Sequence, residues 1–126
     1  MLRKLNNKAG FTLVEIMIVV AIIALLAAIA VPNFIKSREV SRAKSCLANL
    51  KSISYAKEQW ATEQKKATTD TPAATDLYPS DGSGYIRSTP TCPSGGTYSI
   101  NDMITTPTCT VGTNGTPYAG DDHVLP

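Results

Sequence analysis

Residues 16–31 are sixteen consecutive apolar side chains, and across 11–31 only Thr12 and Glu15 are polar. No other feature limits the fold so strongly. As a helix rising about 1.5 Å per residue, the longer stretch spans roughly 32 Å, against roughly 30 Å for the hydrocarbon of a bilayer. A chain of 126 residues has room for one small domain, and a domain of that size has no interior able to enclose such a helix. The segment must therefore face lipid or other apolar helices. Glu15 is the puzzle, because an ordinary anchor gains nothing from a carboxylate there.

Glycine and proline set the next boundary. The chain has eight of each, yet Gly10 and Pro32 are the only ones before residue 67. Residues 11–66, with one proline and no glycine, predict a single long helix, about 84 Å if helical throughout. Beyond Pro32 the pattern turns from uniformly apolar to periodic. Val40, Ala43, Leu47, Leu50, Ile53, Ala56 and Trp60 follow steps of three and four, the spacing of an amphipathic stripe. Arg38, Arg42, Lys44 and Lys51 fall mainly on the other sides.

TTDTPAATD then reads as a breaker-rich linker. Short extended segments follow (GYIRS, TYSI, TCTV and HVL), separated by turn formers such as SGG and the Asn114–Gly115 pair. The expected fold is α+β. A long N-terminal helix, membrane-spanning over 11–31 and amphipathic beyond, packs on three or four short antiparallel strands in a small β-rich head, 67–126.

The net charge of +2 conceals three zones. Residues 1–10 hold Arg3, Lys4 and Lys8 and no acid; residues 11–66 hold eight Lys or Arg against four Glu; residues 67–126 hold Arg87 against six Asp. The total says nothing about nucleic acid. The basic start marks the cytoplasmic end by the positive-inside rule, which places the remainder outside. A secretory signal peptide also begins basic and turns apolar, and Ala28-Ile29-Ala30 offers a small-x-small cleavage site. Such signals are shorter, however, and cleavage after Ala30 would discard Glu15 and leave its placement unexplained.

The stretch KAGFTLVEIMIVVAIIALLAAIAVPN resembles the amino-terminal signature of type IV pilins and of the pseudopilins of type II secretion systems. The resemblance is close over about residues 8–35 and loose beyond. It implies a leader, 1–10, removed by prepilin peptidase between Gly10 and Phe11, and N-methylation of the new Phe11 amine. It also implies assembly into a homo-oligomeric helical filament by an inner-membrane platform driven by an ATPase. Pro32 matches the family's helix-interrupting proline, where a missing N–H kinks or breaks a helix interior. Glu15 then acquires a purpose. Processing leaves a cationic amine at Phe11, one turn away, so each subunit carries both signs at one end. In a water-poor filament core the carboxylate pairs with a neighbour's amine, and the buried pair fixes axial register where apolar helices alone would slide.

Cys92 and Cys109 bracket a candidate hairpin. A disulfide closing that loop contributes roughly 3 kcal/mol in the chain-entropy picture, a large share for a head with little core. Oxidising conditions outside the membrane allow it. Cys46 is then the odd, buried thiol, with pairing of Cys46 to either of the others the open alternative. A Cys3His zinc site with His123 lacks CxxC or HxxxH spacing, so His123 is expected in an exposed tail and no metal or cofactor is assigned. Some pseudopilin heads hold calcium, but Asp81, Asp102, Asp121 and Asp122 lack EF-hand spacing. NGT at Asn114 is a formal glycosylation sequon that reads first as a turn. Tyr85, Tyr98 and Tyr118 read as cover for a small sheet.

With no phosphate loop, no GxSxG and no second histidine, the sequence argues against an enzyme. The expected function is a structural subunit of a type IV pilus-like extracytoplasmic filament. Before assembly it is single-pass in the cytoplasmic membrane; afterwards it is a cell-surface or periplasmic fibre. The alternative within the family is a type II secretion pseudopilin, which the short mature chain favours, whereas the cysteine-bracketed C-terminal region favours a pilin. The alternative from another class is a monomeric, membrane-anchored extracytoplasmic binding module.

Overall fold

The computed structural model describes residues 10–113 and 122–126. In chain order its elements are α1 (Leu13–Gln64), α2 (Ala74–Leu77), β1 (Tyr98–Ser99) and β2 (Thr108–Cys109). The strands pair antiparallel with Tyr98 opposite Cys109 and Ser99 opposite Thr108. The fold is α+β, with one long apolar-to-amphipathic helix and a small antiparallel sheet. Compact units divide at Met1–Ile35 and Lys36–Pro126, so the second half of α1 belongs with the tail that follows it.

Among the described residues of the first unit the helix has no internal partner. Every residue from 10 to 38 is exposed, including Phe11 at 85% and Leu25 at 70%. Pro32 lies inside α1 without ending it. The missing N–H deprives the Ala28 carbonyl of its helical donor; one residue along, the Asn33 side-chain amide donates to the Ile29 carbonyl at 3.3 Å.

In the second unit the stripe read from the sequence is the core. Ala43, Leu50, Ile53, Ala56 and Trp60 are buried, joined by Cys46 and Lys57, while Val40 and Leu47 are half-buried. Two clusters form along it. Cys46 and Leu50 pack with Cys92 and Cys109, flanked by Tyr98, Val111 and Leu125. Ile53, Ala56 and Trp60 pack with Leu77, flanked by Tyr78, Ile86, Ile100 and Met103. Fully burying one such aliphatic side chain contributes about 1.5–3 kcal/mol.

The sheet is smaller than expected: the described residues contain two strands of two residues each. TYSI and TCTV supply them. GYIRS instead turns back on α2, where the Ile86 N–H donates to the Leu77 carbonyl at 2.8 Å, and a Cβ at Gly84 would overlap Pro79 and the Leu77 carbonyl. HVL forms no ladder and is held by His123 N–H to the Gly112 carbonyl at 2.9 Å. The Asn114–Gly115 turn lies outside the described residues.

Side chains from the helix satisfy loop carbonyls where a ladder is lacking. The buried Lys57 ammonium donates to the carbonyls of Ile100, Asp102 and Thr105, at 2.8 Å for the first and last. Asn49 Nδ2 donates to the Thr91 carbonyl at 2.9 Å. Burial lowers the Lys57 pKa, and the nearby Asp102 carboxylate opposes that shift. Three hydrogen bonds to one ammonium make Lys57 the main tether of loop 100–105. Lys57→Met leaves those carbonyls without a donor, and unpaired buried groups of this kind cost about 1–3 kcal/mol each before relaxation. We predict a loss of roughly 2–4 kcal/mol in stability, read by thermal unfolding of the detergent-solubilised chain.

The end of α1 shows a local strain. Lys65 adopts φ 51° and Lys66 N–H donates to the Ala61 carbonyl at 3.0 Å, the backbone closure of a Schellman cap. Glycine usually occupies that left-handed position, since a Cβ is disfavoured there. Lys65→Gly is expected to raise stability by about 0.5–1 kcal/mol, checked in the same melt; a loss would show that Lys65 makes compensating contacts.

Candidate functional site

Two places concentrate unusual chemistry, one in each unit. The first is the tip of α1. With the helix starting at Leu13, Thr12 is its N-cap, and Glu15 is the third helical residue. Thr12 N–H and Thr12 Oγ1 donate to Glu15 Oε2 at 2.8 and 2.9 Å, and Glu15 N–H donates back to Thr12 Oγ1 at 3.2 Å. This reciprocal pattern is a capping box: it satisfies helix-end donors and places negative charge where the helix dipole favours it. Both Thr12 donors use Oε2, and among the described residues nothing donates to Oε1. The carboxylate can therefore cap its own helix and still accept from another group. The T-x-x-E spacing is visible in the sequence, and the structure adds helix capping to the assembly role expected of Glu15. Gly10 is exposed and a Cβ there would meet nothing within 4 Å, so the Gly10–Phe11 bond is open to solvent.

The second is a cluster that sequence spacing did not reveal. Cys46 from α1, Cys92 from the loop before β1, Cys109 from β2 and His123 from the C-terminal segment are all buried, and their ligand atoms lie within 4.8 Å of one another. The three cysteines are free thiols. The expected Cys92–Cys109 pair is thus brought together, with Cys46 in the same cluster. His123 was expected in an exposed tail; it is only 2% exposed, with Nδ1 3.6 Å from Cys92 Sγ. The hydrogen bond from its N–H to Gly112 carries the ring inward.

Two matching turns deliver the loop cysteines. In Cys92-Pro-Ser-Gly95 and in Cys109-Thr-Val-Gly112, the glycine N–H donates to the cysteine carbonyl at 3.0 Å, and the glycines adopt φ 81° and 53°, where a Cβ is disfavoured. This repeated C-x-x-G is the signal that could have found the cluster. Burial pushes the Cys46 thiol up to about 12, with the neighbouring thiols adding to it against the Tyr98 hydroxyl. Burial acts the same way on Cys92, but the backbone of Ser94 and Gly96 together with the Cys109 and Cys46 thiols outweigh it and lower its pKa.

The other singled-out residues do not converge. Asp81 Oδ1 accepts from Ser83 N–H and Oγ, and Asp102 Oδ1 accepts from Thr105 N–H at 2.7 Å, so each carboxylate closes its own turn. Asp122 is exposed. Tyr85 donates to Glu63 Oε2 at 2.7 Å, and Tyr98 packs in the core. Asn114, Tyr118 and Asp121 lie outside the described residues, as do residues 1–9.

Comparison with known proteins adds to this geometry. The prokaryotic N-terminal methylation motif matches residues 5–31. Competence protein ComGC of Halalkalibacterium halodurans is 33% identical over 95 residues, covering 75% of this chain and 86% of that protein. This chain belongs to the type IV pilin and pseudopilin family. Type II secretion system core protein G of Klebsiella michiganensis is 27% identical over 107 residues, covering 75% of this chain and 74% of that protein. The type IV major pilin protein PilA of Myxococcus xanthus is 49% identical over 57 residues, covering 45% of this chain but only 26% of the pilin. No solved structure matches the chain. As a pilin-like structural subunit, the chain combines the family's motif with an exposed apolar helix and a head whose core is seamed by thiols.

Proposed function

We propose that this chain is a structural subunit of a type IV pilus-like extracytoplasmic filament. In this reading prepilin peptidase removes residues 1–10 between Gly10 and Phe11, and the Phe11 amine is methylated. The helix of 11–66 is stored in the cytoplasmic membrane through 11–31, with the head of 67–126 outside. Subunits then associate through their helices on an inner-membrane assembly platform. The single observation that carries the reading is the wholly exposed apolar stretch of α1 with one carboxylate at its tip. Lipid covers such a surface in storage, and sibling helices cover it in a fibre.

Glu15 supplies the register. Its Oε2 is occupied by the capping box, and its Oε1 accepts the Phe11 amine of a neighbour. Away from water such a pair tolerates few offsets, because either charge left alone is costly. A monomeric anchored module has no use for that free carboxylate oxygen. Nor does catalysis enter: the names of the relatives denote pilus, competence and secretion components rather than enzymes.

A second reading, a secretion pseudopilus subunit, is favoured by the length of the matches. The secretion protein is covered over 74% of its length and the pilin over 26%. Surface fibres seen by electron microscopy, against a secretion defect without fibres, separate the two.

The capping box makes the assembly test sharper than an alanine scan. Glu15→Gln keeps an oxygen able to cap the helix but carries no charge, whereas Glu15→Ala removes both. If charge pairing drives assembly, both variants remain in the membrane as processed protein and both lose most of their filaments, by roughly tenfold or more. Filaments of Glu15→Gln at wild-type abundance would reduce Glu15 to a helix cap.

A further inference from the structure

We propose that Cys46, Cys92, Cys109 and His123 form a structural zinc site that joins the helix, the hairpin and the C-terminal segment of the head. The proposal does not depend on what kind of filament the subunit builds.

The donor set comes first. Three thiols and an imidazole are a standard closed set for tetrahedral zinc, and soft sulfur donors disfavour calcium, magnesium and manganese. Zinc–sulfur bonds of about 2.3 Å imply sulfur–sulfur edges of about 3.8 Å around a tetrahedron. Here the four ligand atoms already lie within 4.8 Å of one another, all from buried residues. Small rotations of the side chains bring them to bonding distance. His123 presents Nδ1 to the sulfurs, so that nitrogen is the ligand.

The surroundings suit a metal–thiolate centre. Binding releases one proton from each thiol to solvent and leaves three thiolates and one neutral imidazole around a dication, a net charge of −1. Tyr98 packs against the three cysteines, and its hydroxyl accepts from Asn49 Nδ2 at 3.1 Å. Gly96 leaves room where it is needed, because a Cβ there would fall 2.6 Å from Cys109 Sγ.

A disulfide is the rival use of the same atoms. It would consume two sulfurs and leave the third thiol and a buried imidazole with no common purpose. The fourfold convergence of residues 46, 92, 109 and 123 is what zinc accounts for and a disulfide does not.

The test uses the full chain, purified from membranes in detergent with neither metal nor chelator added. Elemental analysis is expected to find one zinc per chain. Thiol titration after unfolding in chelator, without reductant, is expected to find three free thiols. Replacing zinc with cobalt(II) should give thiolate-to-cobalt charge-transfer absorption and the visible bands of tetrahedral cobalt. His123→Ala should weaken zinc binding by about 100-fold or more, whereas His123→Cys should retain it. A metal-free chain in which any two cysteines are joined overturns the proposal. So does stoichiometric iron or copper in place of zinc, or cobalt spectra without thiolate bands. The wild-type measurements decide the matter even if the variants fail to fold.

Discussion

An apolar helix that its own chain does not cover governs everything else about this protein. At about 25 cal/mol per Å², a bilayer-length apolar surface represents a large free energy left unrealised within one subunit. Exposed apolar area on this scale marks an interaction surface. In the proposed function lipid and sibling helices both cover it, and they differ little in how well they solvate hydrocarbon. The choice between membrane and fibre then rests on weaker and more specific terms, of which the charge at the helix tip is the clearest. Thr12 and Glu15 form the capped end of that helix, with the carboxylate accepting through Oε2; in the proposed assembly its other oxygen takes a neighbour's amine.

The second unit answers a different problem. It has two short strands and much irregular chain, so its backbone groups cannot rely on ladders for their partners. Helix side chains supply the donors, with Lys57 and Asn49 reaching carbonyls of residues 42 to 48 positions away in sequence. The Cys46, Cys92, Cys109 and His123 cluster lies where helix, hairpin and C-terminus meet, the position at which a cross-link adds most.

Much of this was legible in the sequence because it is local. The apolar run, the leader's basic residues, the distribution of glycine and proline, and the three-and-four spacing from Val40 to Trp60 each reveal themselves within a few turns. What escaped reading depends on distant partners. Lys57 lies one residue beyond Ala56 and carries a charge, yet it is buried because loop carbonyls receive it. His123 followed a glycine- and aspartate-containing stretch and read as tail, yet a backbone hydrogen bond to Gly112 turns it inward. The extended segment at Tyr85 failed as a strand because α2, formed from the presumed linker, offered Leu77 as a nearer partner. Metal-ligand spacing failed for the same reason: its usual patterns assume ligands close in sequence, and these four span residues 46 to 123.

The central claim is that the apolar helix is retained in the working protein and exposed at its tip by a cut on the cytoplasmic side. Its most direct test is the intact mass and N-terminal sequence of the chain recovered from cell membranes. The account predicts a polypeptide beginning at Phe11 and one methyl group heavier than its sequence. A chain beginning at Met1, or at Val31 with the apolar segment discarded, would contradict it.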